Sequence, residues 1–161
     1  MIKKKILSLL EKNGRLTPAE IGVMVGINEQ EAAAYIAEME ADKVIVGYSA
    51  LIDWDKADKS SVHALIEIKV IPQKSQGFDS VAKTICKFEE VKNLYLMSGG
   101  FDLAVMVEGK SLRDVAMFVS ERLSFIDGVT ATATHFVLKK YKDSGVFFGA
   151  EDADERGCLG I

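Results

Sequence analysis

The stretch that decides the fold is LYLMSGGFDLAVMV, residues 94 to 107, in which two apolar runs flank the small-residue turn Ser98, Gly99, Gly100, Phe101 and Asp102. Leu94 to Met97 and Leu103 to Val107 have the composition of β-strands, and a short glycine-bearing link between such runs reads as a hairpin. A double glycine permits positive φ and removes the side chains that keep a ligand from the main chain, while Asp102 adds a fixed negative charge beside exposed amides. Two readings stay open on this chemistry. The turn is a plain hairpin connection, or Ser98, Gly99, Gly100 and Asp102 seat a small molecule bearing both charges, such as a free amino acid.

Working outward, Val62, Ala64, Ile66, Ile68 and Val70 alternate with His63, Leu65, Glu67 and Lys69, which predicts a strand closed off at Pro72. Phe78, Val81, Ala82, Ile85 and Phe88 recur at helical spacing between that strand and the hairpin. Beyond the hairpin, a second helix is expected to turn Leu112, Val115, Ala116, Val119 and Leu123 inward, followed by a strand from Val129 to Leu138. Strand, helix, strand, repeated once, describes a ferredoxin-like βαββαβ sandwich over residues 61–142 with its helices on one face. Leu65, Ile71 and similar apolar residues fall on the other face, which is therefore expected to meet another subunit. Thr130, Thr132 and Thr134 alternate with Ala131 and Ala133, placing three hydroxyls on one face of the last strand; by themselves they read as ordinary β-formers.

Residues 1–52 follow a different pattern. Ile2, Ile6, Leu9 and Leu10 repeat at helical spacing up to Gly14. Thr17, Pro18 and Glu20 combine an N-cap, a first-turn proline and a capping-box acid, opening a helix with Ile21, Met24 and Val25 inward and Gly26 at its end. Asn28 with Glu31 repeats the cap signature, and Ala32, Tyr35, Ile36 and Met39 form the stripe of a third helix. Three short helices with a glycine turn between the last two make a helix-turn-helix. A β-rich run, Val44 to Ile52, follows it. Residues 53–60 read as a hinge pinned by Trp54, and 143–161 as a C-terminal extension that is acidic and frayed from Glu151.

Composition narrows the function classes. A hydrophobic fraction of 48% with 27% charged residues excludes disorder for most of the length, and a net charge of −4 argues against a protein whose whole task is to coat nucleic acid. The basic start Lys3, Lys4, Lys5 precedes an apolar run broken by Ser8, so no signal peptide, membrane span or membrane partner is expected. Cys86 and Cys158 read as free thiols of a cytoplasmic protein. His63 and His135 lack ligand neighbours at a metal spacing, and Met24, Met39, Met97, Met106 and Met117 read as packing. No phosphate loop, nucleophile elbow or acid dyad is present; neither an enzyme nor a cofactor is expected.

In this order and spacing the residues resemble the Lrp/AsnC family of regulators. The resemblance spans residues 2 to 142 and rests on Leu16, Thr17, Ile21, Val25, Gly26 and Ile27 in the helix-turn-helix, Val44, Ile45, Gly47 and Tyr48 after it, Gly100 and Asp102 in the turn, and Gly128, Val129, Thr132 and Thr134 in the last strand. It implies a winged helix-turn-helix that binds double-stranded DNA, followed by a ferredoxin-like effector domain of the RAM type. It further implies homodimers, assembling as far as octamers, with an amino-acid effector held between dimers. Gly100 and Asp102 would line that pocket, and Thr132 and Thr134 would lie near it.

One feature departs from the family pattern. From Asn28 to Asp42 the charged residues Glu29, Glu31, Glu38, Glu40 and Asp42 are all acidic, in the helix that the resemblance makes the DNA reader. Asn28, Glu29 and Gln30 open that helix; Gln30 is able to pair with adenine, and glutamate to accept from cytosine N4. Phosphate contacts would then fall to Lys3, Lys4, Lys5, Lys12, Arg15 and Lys43. The competing reading keeps the effector domain and makes the helical domain a protein-interaction module that does not bind DNA.

Overall fold

Thr17 and Asn28 each open a helix by accepting a main-chain N–H through the side chain, and this repeated capping sets the layout of the first unit. In a computed structural model, which describes residues 1–54, 56–57, 61–72 and 77–148, the chain divides into two compact units, Met1–Ile52 and Asp53–Ile161. The first contains α1 (Ile2–Lys12), α2 (Pro18–Val25) and α3 (Glu29–Ala41). Both capping boxes are complete: Thr17 Oγ1 accepts from the Glu20 N–H, Asn28 Oδ1 accepts from the Glu31 N–H, and each glutamate accepts in return from the cap's own N–H. The Thr17 hydrogen bonds hold the Glu20 carboxyl below its ordinary value. Ile6, Ile21, Ala32 and Met39 form the buried centre.

Two expectations for this unit fail. Met24 is 57% exposed, because an eight-residue helix anchored by Ile21 buries a narrow stripe and Met24 falls beside it. Residues 44–52 belong to no strand ladder among the described residues; they run on from the end of α3 without a partner segment.

The second unit is built as β1 (Val62–Val70), α4 (Asp79–Ile85), β2 (Val91–Leu96), β3 (Leu103–Gly109), α5 (Leu112–Glu121), a short 3-10 turn (Leu123–Phe125) and β4 (Val129–Phe136). Its four strands are antiparallel in the order β2-β3-β1-β4, the ferredoxin-like arrangement. Ala64, Ile66, Ile68 and Val70 on β1 and Leu103, Val105 and Val107 on β3 pack with Val81, Ile85, Val115 and Phe118 of the helices. Burying each of the larger side chains among these, alanine apart, gains about 1.5–3 kcal/mol before entropy is counted. The opposite sheet face bears Leu65, Ala104, Met106 and Tyr95 around Glu67 and His135, and those two side chains meet at 3.4 Å.

Here too the sequence misjudged particular side chains. Leu112 and Ala116 lie on the exposed side of α5 and Phe118 takes the inward place, packing edge-on against Phe88 at 5.4 Å. Met97 and Met117 are exposed, so of the methionines read as packing only Met39 is deeply buried and Met106 half-buried. The last strand stops at Phe136, and Leu138 is exposed. The first residues of the stretch read as an extension instead form a small hairpin of β5 (Lys142–Asp143) and β6 (Val146–Phe147). In the hinge, Trp54 is 38% exposed and its carbonyl accepts the Ala57 N–H. The acidic stretch from Glu151, with Cys158, lies outside the described residues.

Candidate functional site

The helix-turn-helix is held closed by a glycine. A Cβ on Gly22 would stand 2.8 Å from the Ile27 carbonyl oxygen and 3.3 Å from Asn28, so α2 approaches the entry to α3 as closely as only a glycine allows. The Gly22 carbonyl accepts the N–H groups of both Gly26 and Ile27, and Gly26 takes the left-handed conformation at φ 79°. This locks the angle at which α3 leaves the turn. Its first turn carries Glu29 and Gln30, both exposed, with side chains that take no partner among the described residues. Asn28 does not share that freedom, since its Oδ1 is spent on the cap.

The acidity of α3 is partly claimed from within its own unit. The Lys3 ammonium of α1 pairs with Glu38 at 2.6 Å and is held above its ordinary pKa chiefly by that carboxylate. The Tyr48 hydroxyl donates to Glu40 at 2.9 Å, and burial together with Glu40 pushes its pKa up. Glu31 folds back onto the Asn28 N–H. Lys3, expected to meet phosphate, is therefore engaged with α3 instead. Lys4, Lys5, Lys12, Arg15 and Lys43 are exposed and make no ion pair among the described residues. Lys43 sits at φ 58° just past α3, where Val44 N–H reaches the Met39 carbonyl and Lys43 N–H the Glu40 carbonyl, a Schellman closure made without glycine.

In the second unit, residues 97–102 join β2 to β3 and are closed by the Met97 N–H donating to the Asp102 carbonyl at 2.8 Å. Neither Gly99 nor Gly100 uses the positive φ that glycine permits, and a Cβ on either would meet nothing within 4 Å. The main chain there is bare, but not through any demand of backbone conformation. Ser98, Gly99 and Gly100 are all exposed. Asp102 is half-buried and its carboxylate is not wholly free: Oδ2 accepts the Val70 N–H at 2.8 Å. Sequence reading missed this bond because 32 residues separate the partners and nothing local signals it.

Thr132 and Thr134 stand opposite Ile68 and Ile66 and are half-buried on the helix-covered face. Thr130 does not share their row. The register slips between Lys69 and Val70, and Thr130 Oγ1 donates to the Lys69 carbonyl at 3.1 Å, so three aligned hydroxyls become two plus an anchor. The turn and the two threonines lie on opposite sides of β1. His63 contacts the Ser61 hydroxyl at 3.1 Å, and no group of metal-ligating side chains occurs among the described residues. No described helix is long and apolar enough to cross a membrane. Hollows of about 480 and 650 Å³ run along α1 and residues 44–51, within the first unit.

Residues 63–147 match the family model of the Lrp/AsnC ligand binding domain, and residues 2–46 that of a winged helix-turn-helix DNA-binding domain. The HTH-type transcriptional regulator YugG of Bacillus subtilis is 47% identical over 153 residues, covering 94% of this chain and 92% of that protein. Among solved structures, the leucine response regulatory protein LrpA of Mycobacterium tuberculosis superposes with a TM-score of 0.75 at 22% identity, over 89% of this chain and 94% of that one. A transcriptional regulator of Neisseria meningitidis in complex with L-Met gives 0.70 at 24% identity, over 88% and 91%.

Proposed function

Because this chain belongs to the Lrp/AsnC family of transcriptional regulators, we propose that it binds double-stranded DNA through its helix-turn-helix under the control of an amino acid or related small effector bound to its ferredoxin-like unit. The observation that carries this reading is the union, in one chain, of a helix-turn-helix whose first α3 turn is unclaimed and a ligand-binding domain whose glycine turn leaves its main chain bare. The effector sits against the bare main chain of Ser98, Gly99 and Gly100, in the turn that Asp102 closes, at a seam between the homodimers of an assembly that reaches an octamer. That a related fold is known with L-Met bound supports the choice of ligand class. Binding at the seam favours one assembly and so alters which pairs of DNA sites the helical units span together.

Glu29 and Gln30 read base edges, and Lys4, Lys5, Arg15 and Lys43, with Lys12, supply phosphate contacts. Those exposed cations set an upper bound on the electrostatics, a salt slope of about −4.5 per protomer at about −0.9 per contact. A selection from whole-genome fragments, run with and without a mixture of amino acids, is expected to retain specific fragments at low salt and to change the retained set when amino acids are present. A second reading is favoured by one observation, that α3 carries no lysine or arginine: the helical unit then contacts another protein. Failure to retain any fragment at low salt decides for that reading.

A further inference from the structure

The β1–β3 ladder ends at the Ile68–Leu103 pair, where the chain leaves β3 for the glycine turn. Main-chain groups of β1 beyond that rung still need partners, because Val70 is only 6% exposed and its N–H has little access to water. Asp102 supplies what the missing strand does not. Its own N–H donates to the Ile68 carbonyl at 3.0 Å, and its carboxylate Oδ2 stands in for a strand carbonyl by accepting the Val70 N–H at 2.8 Å. On the other edge of β1, Thr130 Oγ1 holds the Lys69 carbonyl and the Ile71 N–H donates to the Gly128 carbonyl at 2.8 Å. Three consecutive residues, Lys69 to Ile71, are thereby gripped from alternate sides where the β1–β4 register slips.

We infer that Asp102 is a positioning residue: it pins the glycine turn to the bulged end of β1, and the effector response requires its hydrogen-bond acceptor on Val70 rather than its negative charge. This rests on the effector reading given above. The chemistry separates the two roles. Pairing with a ligand ammonium needs the charge, which an amide lacks, whereas capping the Val70 N–H needs one oxygen at the right reach, which asparagine retains. The same grip ties the turn to the start of β4, the strand that carries Thr132 and Thr134, so a ligand ordering the turn also tightens the bulge.

Asp102→Asn and Asp102→Ala in the full chain test this, read by the melting temperature, by amide hydrogen exchange at Val70, and by the melting shift produced by each of the twenty L-amino acids. Asp102→Asn is expected to keep Val70 exchange within about threefold of wild type and to keep the amino-acid shift. Asp102→Ala is expected to speed Val70 exchange more than about tenfold, to lower the melting temperature by about 4–8 °C and to lose the shift. Loss of the shift in Asp102→Asn with Val70 still protected assigns the charge to the ligand and overturns the inference, even if Asp102→Ala fails to fold. Unchanged Val70 exchange in a folded Asp102→Ala overturns the clasp itself. If no amino acid shifts the wild type, the effector reading falls, while Val70 exchange still decides the clasp.

Discussion

The corner where α2 meets α3 and the turn between β2 and β3 each carry two glycines, but only the first is bound to keep them. In the first, space and conformation leave no choice: a side chain at Gly22 would strike the Ile27 carbonyl, and Gly26 adopts a left-handed φ. In the second, Gly99 and Gly100 have open space around them and φ values other residues adopt without strain. The fold accounts for the first pair of glycines and leaves the second pair unaccounted for. A position where bareness serves no packing or conformational need is where approach by something from outside becomes the better explanation.

The contrast breaks most readily at Gly22. Gly22→Ala should destabilise the helical unit by about 1–3 kcal/mol, the usual cost of forcing extra volume against fixed main chain, whereas Gly100→Ala should change stability by less than about 0.5 kcal/mol while weakening the amino-acid response. Denaturant melts of the two variants measure this; equal losses would erase the distinction. A smaller effect sharpens it from the other direction at the end of α3, where Lys43 occupies a left-handed position that elsewhere falls to glycine. Lys43→Gly should raise stability by up to about 1 kcal/mol, since relief of the Cβ clash exceeds the added chain entropy. The smallest change in stability belongs to Glu38→Gln, which breaks an exposed, solvent-screened pair. Its visible effect lies in DNA binding: Lys3 is released, and the salt slope should steepen by about one per protomer.

The fold was legible in the sequence because its signals are local and periodic. Alternation from Val62 to Val70 placed β1 correctly, and the spacing of Thr17 with Glu20 and of Asn28 with Glu31 placed two helix starts. Burial along short helices was less legible, since one residue of rotation decides whether Met24, Leu112 or Phe118 turns inward. Side-chain partners at the candidate sites were hidden altogether. Lys3 and Glu38 lie on different helices, Asp102 in the turn before β3 and Val70 on β1, and no composition or period links them. The acidity of α3 was plain, but not that other side chains of the same unit answer part of it.

The strand order carries a consequence for how the chain is made. β1 lies inside the sheet and needs both β3 and β4, and its partner residues on β4 follow it by about sixty to seventy positions in the sequence. The helical unit asks for nothing so distant, since its core comes entirely from its first few dozen residues. During synthesis that unit is able to assemble early, through contacts close along the chain, whereas β1 emerges with both edges unsatisfied and waits for most of the second unit to be translated. Until β4 arrives, the aliphatic row on β1 is the surface of the nascent chain in greatest need of a chaperone.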